Sequence, residues 1–126
     1  MRSIIIVFCL KEVKNLISKV SSLYKMTKVG EHITLDIIGI TKEYDPSLFE
    51  KVIKEIAKVA NVTILKISKY KFEPQGFTIL ALLAESHISF HTFPEKGIIS
   101  FDFFTCGKVN PSIAIDIIKK HFEHKR

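Results

Sequence analysis

The chain has 126 residues, 47% of them hydrophobic, and a formal net charge of +6, which describes one domain with enough apolar surface for its own core, and no linker or second domain is visible in it. The excess charge is lysine spread between apolar positions, and arginine occurs only at Arg2 and Arg126, so the arginine-rich, aromatic-interleaved groove of a nucleic-acid binder is not indicated. Two cysteines without CxxC spacing, Cys9 and Cys106, exclude a zinc ribbon or disulfide scaffold and suit a reducing cytoplasm.

Ser3-Ile4-Ile5-Ile6-Val7-Phe8-Cys9-Leu10 is too short to cross a bilayer, which takes about 20 apolar residues, and no small-residue cleavage site follows it. The pattern predicts a strand followed by a lysine-rich amphipathic helix over 11–25, and Met26 stands where a shorter chain could start. Residues 1–25 are therefore expected to be an N-terminal extension and 26–126 the main domain. Over 31–40, Ile33, Leu35 and Ile37 alternate with Thr34 and Asp36, the period of a half-buried strand. Asp45-Pro46 then reads as a helix start, and Leu48, Phe49, Val52, Ile53, Ile56 and Ala60 form one apolar stripe. Residues 62–72 and 77–84 read as a hairpin around Glu73-Pro74-Gln75-Gly76, and 87–93 and 98–104 as a second one around Pro94-Glu95-Lys96-Gly97. Asn110-Pro111 opens a last amphipathic helix through Phe122. The sum is an α+β fold, a two-layer sandwich of antiparallel sheet with helices on one face.

Between Gly76 and Gly107 the chain sets Glu85-Ser86-His87, His91-Thr92-Phe93-Pro94-Glu95 and Thr105-Cys106-Gly107 in order. A serine hydroxyl lies close to the carbonyl carbon of the residue before it, so Ser86 can attack the Glu85 carbonyl if the backbone holds the two together. An imidazole titrates near neutral pH, which makes His91 a candidate proton acceptor, with His87 a second polar contributor on the same strand face. Strict alternation puts Ser86 and His91 on opposite faces, so a bend or bulge near Ser86 is expected. Taken singly, each residue has a structural reading: Cys106 as packing, His91 as a polar residue on a sheet face, and Phe101, Phe103 and Phe104 as core or interface. His87-x-Ser89-x-His91 lacks a third ligand of ordinary spacing, and no metal is expected.

Jointly, Ser86, His91, Glu95 and Cys106, preceded by Phe72-x-Pro74-Gln75-Gly76-x-Thr78, resemble the S-adenosylmethionine decarboxylase family over roughly residues 30–122. That resemblance implies self-cleavage between Glu85 and Ser86 into a β chain, 1–85, and an α chain, 86–126. Ser86 would become a pyruvoyl group that forms a Schiff base with substrate, without pyridoxal phosphate or metal. It also implies His91 as the proton acceptor of processing, Thr78 as a processing hydroxyl, Cys106 as proton donor to the decarboxylated product, Phe72 as a stacking partner for adenine, and Glu85 and Glu95 as ribose-binding residues. Phe93 stands where the family commonly has Trp or Tyr. A homodimer of cleaved protomers feeding polyamine synthesis is the expected assembly and role, with neither nucleic acid nor membrane as partner. Two alternatives are an arginine decarboxylase with the same pyruvoyl site and an unprocessed, non-catalytic paralogue.

Overall fold

The computed structural model describes residues 4–9, 30–106 and 109–122; the helix predicted over 11–25 lies outside the described residues, as does Gly107. Six strands form one antiparallel sheet: β1 (Ile4–Cys9), β2 (Gly30–Ile38), β3 (Ile64–Lys71), β4 (Phe77–Leu83), β5 (Ser86–Phe93) and β6 (Ile98–Cys106), in the spatial order β1-β2-β6-β5-β4-β3. Two helices, α1 (Pro46–Ala60) and α2 (Ile113–His121), cover one face.

Alternation decides which face is covered. Ile33, Leu35 and Ile37 of β2, Ile99, Phe101 and Phe103 of β6, Ile88 and Phe90 of β5, and Phe77, Ile79, Ala81 and Leu83 of β4 are all buried under the helices. The α1 stripe supplies Phe49, Val52, Ile53, Ile56, Ala57 and Ala60, and α2 supplies Ala114, Ile117 and Ile118. Phe49 sits edge-on to Phe77 and Phe90, with centroids 4.6 and 5.2 Å away, a favourable ring geometry. Phe101 and Phe103 thus belong to the core, whereas Phe104 lies one residue out of phase on the opposite face.

Asp45 caps α1 by accepting a hydrogen bond from the Ser47 N–H at 2.8 Å, which also holds its carboxyl below the usual carboxylate range. Asn61 ends the helix in the left-handed region at φ 56°, one of the residues that tolerates it. Helix α2 begins later than its Asn110-Pro111 signal, because Asn110 Oδ1 accepts from both the backbone N–H and the hydroxyl of Ser112 and so makes a turn first. Gly97 closes the β5–β6 connection at φ 64°, where a Cβ would lie 2.9 Å from the Ile40 carbonyl oxygen.

Two strand ends that bear on the site differ from the sequence expectation. β5 starts at Ser86, β6 continues through Cys106, and β5 pairs with β6 without interruption from Ser86↔Thr105 to Phe93↔Ile98. The bulge expected near Ser86 does not form. Pairing with β6 from Ser86↔Thr105 onward keeps β5 in register there.

Candidate active site

Ser86 follows the two-residue tip Ala84-Glu85 that joins β4 to β5, and the tip is held from two sides. The Ala84 N–H donates to the Thr63 carbonyl at 2.9 Å, and Glu85 Oε1 accepts from the Thr63 N–H at 2.8 Å. From β6, the Cys106 backbone N–H donates to the Glu85 carbonyl oxygen at 3.1 Å. That is the carbonyl beside the Ser86 hydroxyl. A donor aimed at it stabilises the negative charge that attack by Ser86 would place on the oxygen. Gly30, opposite Cys106 on β2, permits this close packing, since a Cβ there would lie 2.2 Å from the Thr105 carbonyl oxygen.

Beyond the covered face, the other face of the sheet carries the polar residues. His87, Ser89, His91 and Phe93 project from β5, with Phe104, Asp102, Ser100 and Ile98 opposite them on β6. Ser86 Oγ lies 3.3 Å from His87 Nδ1, and His87 Nε2 lies 3.3 Å from Asp102 Oδ2. His32 of β2 meets the other carboxylate oxygen of Asp102 through its own Nε2. Among the described residues, His32, His87 and Asp102 could offer a metal ion three ligand atoms within 4.8 Å of one another; in the structure both Nε2 atoms face the Asp102 carboxylate.

His91 stands elsewhere. Its Nδ1 is 2.9 Å from the Thr78 hydroxyl, directly across the β4–β5 pairing. Phe72 follows β3 at the same end of the sheet, half exposed, with its ring 4.8 Å from that of Tyr70. Gln75 Nε2 donates to Glu95 Oε2 at 3.5 Å, which places Glu95 near the Phe72-to-Gly76 turn.

The predicted residues therefore fall into two groups. Glu85, Ser86 and Cys106 meet at one end of β5, while Phe72, Thr78, His91 and Glu95 gather toward the other. Five residues at about 3.3 Å each put roughly 16 Å of strand between Ser86 and His91. Glu85 points toward Thr63, away from Phe72 and Glu95.

Three participants carry no signal that the motif spacing exposes: His32, Asp102 and the Cys106 N–H. The turn at 94–97 does contain the needed information for Asp102. A hairpin centred there pairs Ser89 with Asp102, which lands the carboxylate diagonally between His87 and His91. His32 requires knowing that β2 runs beside β6, and a main-chain donor has no residue signature at all.

The chain and its antiparallel fold are matched by known proteins. The sequence profile described as S-adenosylmethionine decarboxylase covers residues 31–126. The chain belongs to the S-adenosylmethionine decarboxylase family. It is 40% identical over 92 residues to the S-adenosylmethionine decarboxylase proenzyme of Brevibacillus brevis, covering 71% of this chain and 69% of that one. Identity with the proenzyme of Pyrobaculum neutrophilum is 43% over 94 residues, 71% of this chain and 76% of that one. Among solved structures, the adenosylmethionine decarboxylase of Aquifex aeolicus superposes with a TM-score of 0.68 at 35% identity, over 80% of this chain and 86% of that one. The Aquifex enzyme shares the α+β architecture described above.

Proposed function

We propose that this chain decarboxylates S-adenosylmethionine, using a pyruvoyl group that it makes from Ser86 by cleaving its own Glu85–Ser86 bond. The observation that carries the reading is the clamped Glu85 carbonyl: it accepts the Cys106 N–H at 3.1 Å and adjoins the Ser86 hydroxyl, the arrangement an internal acyl shift requires. Attack by Oγ turns the Glu85–Ser86 amide into an ester. Loss of the Ser86 α-proton then expels the Glu85 carboxylate, and hydrolysis of the resulting dehydroalanine yields the pyruvoyl group and ammonia. Ser86 and its surroundings fit that group, for the residue sits at a strand start whose preceding carbonyl is already polarised. When formed, the group supplies a carbonyl electron sink for decarboxylation, in place of pyridoxal phosphate.

The chain's own residues supply the rest. The Cys106 thiol, at the end of β6 beside Ser86, delivers a proton to the product carbon. Phe72 and Tyr70 present exposed aromatic faces to adenine and to the sulfonium charge, and Glu95 accepts hydrogen bonds from the ribose. His91, with Nδ1 fixed by Thr78, takes the α-proton in maturation.

These parts work together only if two chains meet. Because the two groups lie about 16 Å apart within one chain, the active enzyme is a homodimer in which Glu85, Ser86 and Cys106 of one protomer face Phe72, Thr78, His91 and Glu95 of its partner. The uncovered sheet face suits such a contact: Leu80, Leu82, Tyr70 and Phe93 are 45%, 52%, 65% and 38% exposed on it, an apolar patch of the kind that marks an interface. The product feeds polyamine synthesis.

Intact mass spectrometry of the denatured protein tests the cleavage. Two fragments meeting at Glu85–Ser86, the second blocked by a pyruvoyl group, are expected, and carbon dioxide release from S-adenosylmethionine but not from arginine fixes the substrate. A single full-length mass with no decarboxylation removes the assignment.

A further inference from the structure

We propose that His87, oriented by Asp102 and His32, is the base that starts self-cleavage by taking the Ser86 hydroxyl proton, leaving His91 the later α-proton. This rests on the maturation reading above and assigns its first step. Asp102 is an acceptor on both carboxylate oxygens, so the two imidazoles that face it, His87 at 3.3 Å and His32 on the other oxygen, carry their protons on Nε2. In that tautomer His87 Nδ1 has a lone pair, and the group 3.3 Å from it is the Ser86 hydroxyl. Nucleophile, base and orienting carboxylate thus stand in sequence, with His32 fixing the carboxylate from its far side. Phe104 limits rotation of both rings, with centroids 5.7 Å from His32 and 6.1 Å from His87.

His91 cannot take that first proton within its own chain. It stands roughly 16 Å along the strand from Ser86, and its Nδ1 is engaged with Thr78.

The step balances. The Ser86 Oγ proton moves to His87 Nδ1 as Oγ bonds to the Glu85 carbonyl carbon, and the carbonyl electron pair moves to the oxygen that accepts the Cys106 N–H. Collapse reforms the carbonyl and breaks the bond between Glu85 carbon and Ser86 nitrogen. The proton on His87 passes to that nitrogen, leaving an ester, a free amine and a neutral imidazole.

Cell-free synthesis of wild type, His91→Gln and the pair His87→Gln/His91→Gln, quenched at intervals with and without hydroxylamine, separates the steps. Hydroxylamine splits an ester but not the amide, leaving a Glu85 hydroxamate and a fragment that begins with unmodified Ser86. His91→Gln is expected to accumulate hydroxylamine-sensitive ester. The pair is expected to form it at least about 100-fold more slowly, the usual contribution of a positioned base. Circular dichroism checks that the pair folds. Asp102→Asn keeps His87 and is expected to slow ester formation while retaining a rate that falls as the imidazole protonates; His87→Gln loses that acid limb. The titratable groups facing His87 are Asp102 from β6 and His32 from β2, while β4 presents Leu82.

Ester forming in the folded pair at the His91→Gln rate overturns the proposal and leaves the maturation reading standing. A wild-type chain that never cleaves overturns both. Cleavage abolished by a chelator and restored by zinc overturns the proton-transfer role, because the three residues would then act as metal ligands.

Discussion

If each active site is shared between two chains, two inert variants should repair one another. Ser86→Ala cannot form the prosthetic group, and His91→Ala lacks the acceptor for the α-proton. Each homodimer is therefore expected to be inactive. In a heterodimer of the two, one site combines Ser86 and Cys106 of the His91→Ala chain with His91 and Thr78 of the Ser86→Ala chain; the second site has neither group. One working site of two gives about half the wild-type turnover per dimer, and an unsorted equal mixture, where about half the dimers are mixed, gives about a quarter. The magnitude follows from the roughly 16 Å along β5 between Ser86 and His91, against the ~3 Å over which a proton is handed between groups. Co-expression with two different affinity tags and sequential purification isolates the heterodimer, and carbon dioxide release measures it. Intact mass adds a second readout: only the chain that retains Ser86 should be cleaved. A doubly tagged heterodimer as inactive as its parents would refute the shared site.

Replacing Cys106 by Ala removes the thiol but keeps the backbone N–H on the Glu85 carbonyl, so cleavage should persist while turnover falls at least about 100-fold; loss of cleavage in folded protein would count against that division of roles. Thr78→Val deletes the hydroxyl 2.9 Å from His91 Nδ1 and should slow maturation by about 10–100-fold, the equivalent of one strong hydrogen bond, whereas Thr78→Ser should mature normally by the same mass assay. Phe90 is fully buried among Phe49, Phe101 and Phe122, with centroids 5.2, 4.8 and 5.8 Å away; Phe90→Ala should cost about 3–5 kcal/mol in urea unfolding. Glu55 joins α1 to α2 through Lys120 and His121, whose hydrogen bonds hold its carboxyl below the ordinary range. A depressed folded pKa stabilises above the unfolded value and loses that effect as pH falls through the folded one. Glu55→Gln should therefore lower Tm slightly at neutral pH, and the deficit should shrink as the pH falls below the ordinary carboxylate range.

Much of the architecture was legible along the chain, because burial imposes local periods: the alternation of Ile33, Leu35 and Ile37, the stripe from Phe49 to Ala60, and the Asp45-Pro46 start all depend on near neighbours. Linear spacing likewise exposed Ser86, His91, Glu95 and Cys106 as a set. Tertiary structure decided how that set divides. Antiparallel register brings the Cys106 N–H to the Glu85 carbonyl and Asp102 between His87 and His32, although 70 residues separate His32 from Asp102. The same register, running uninterrupted from Ser86 to Phe93, keeps His91 away from Ser86. A side chain's type can be read from the sequence. Its cross-strand neighbours depend on strand order and register, which are fixed when the apolar face of the whole sheet closes against the helices.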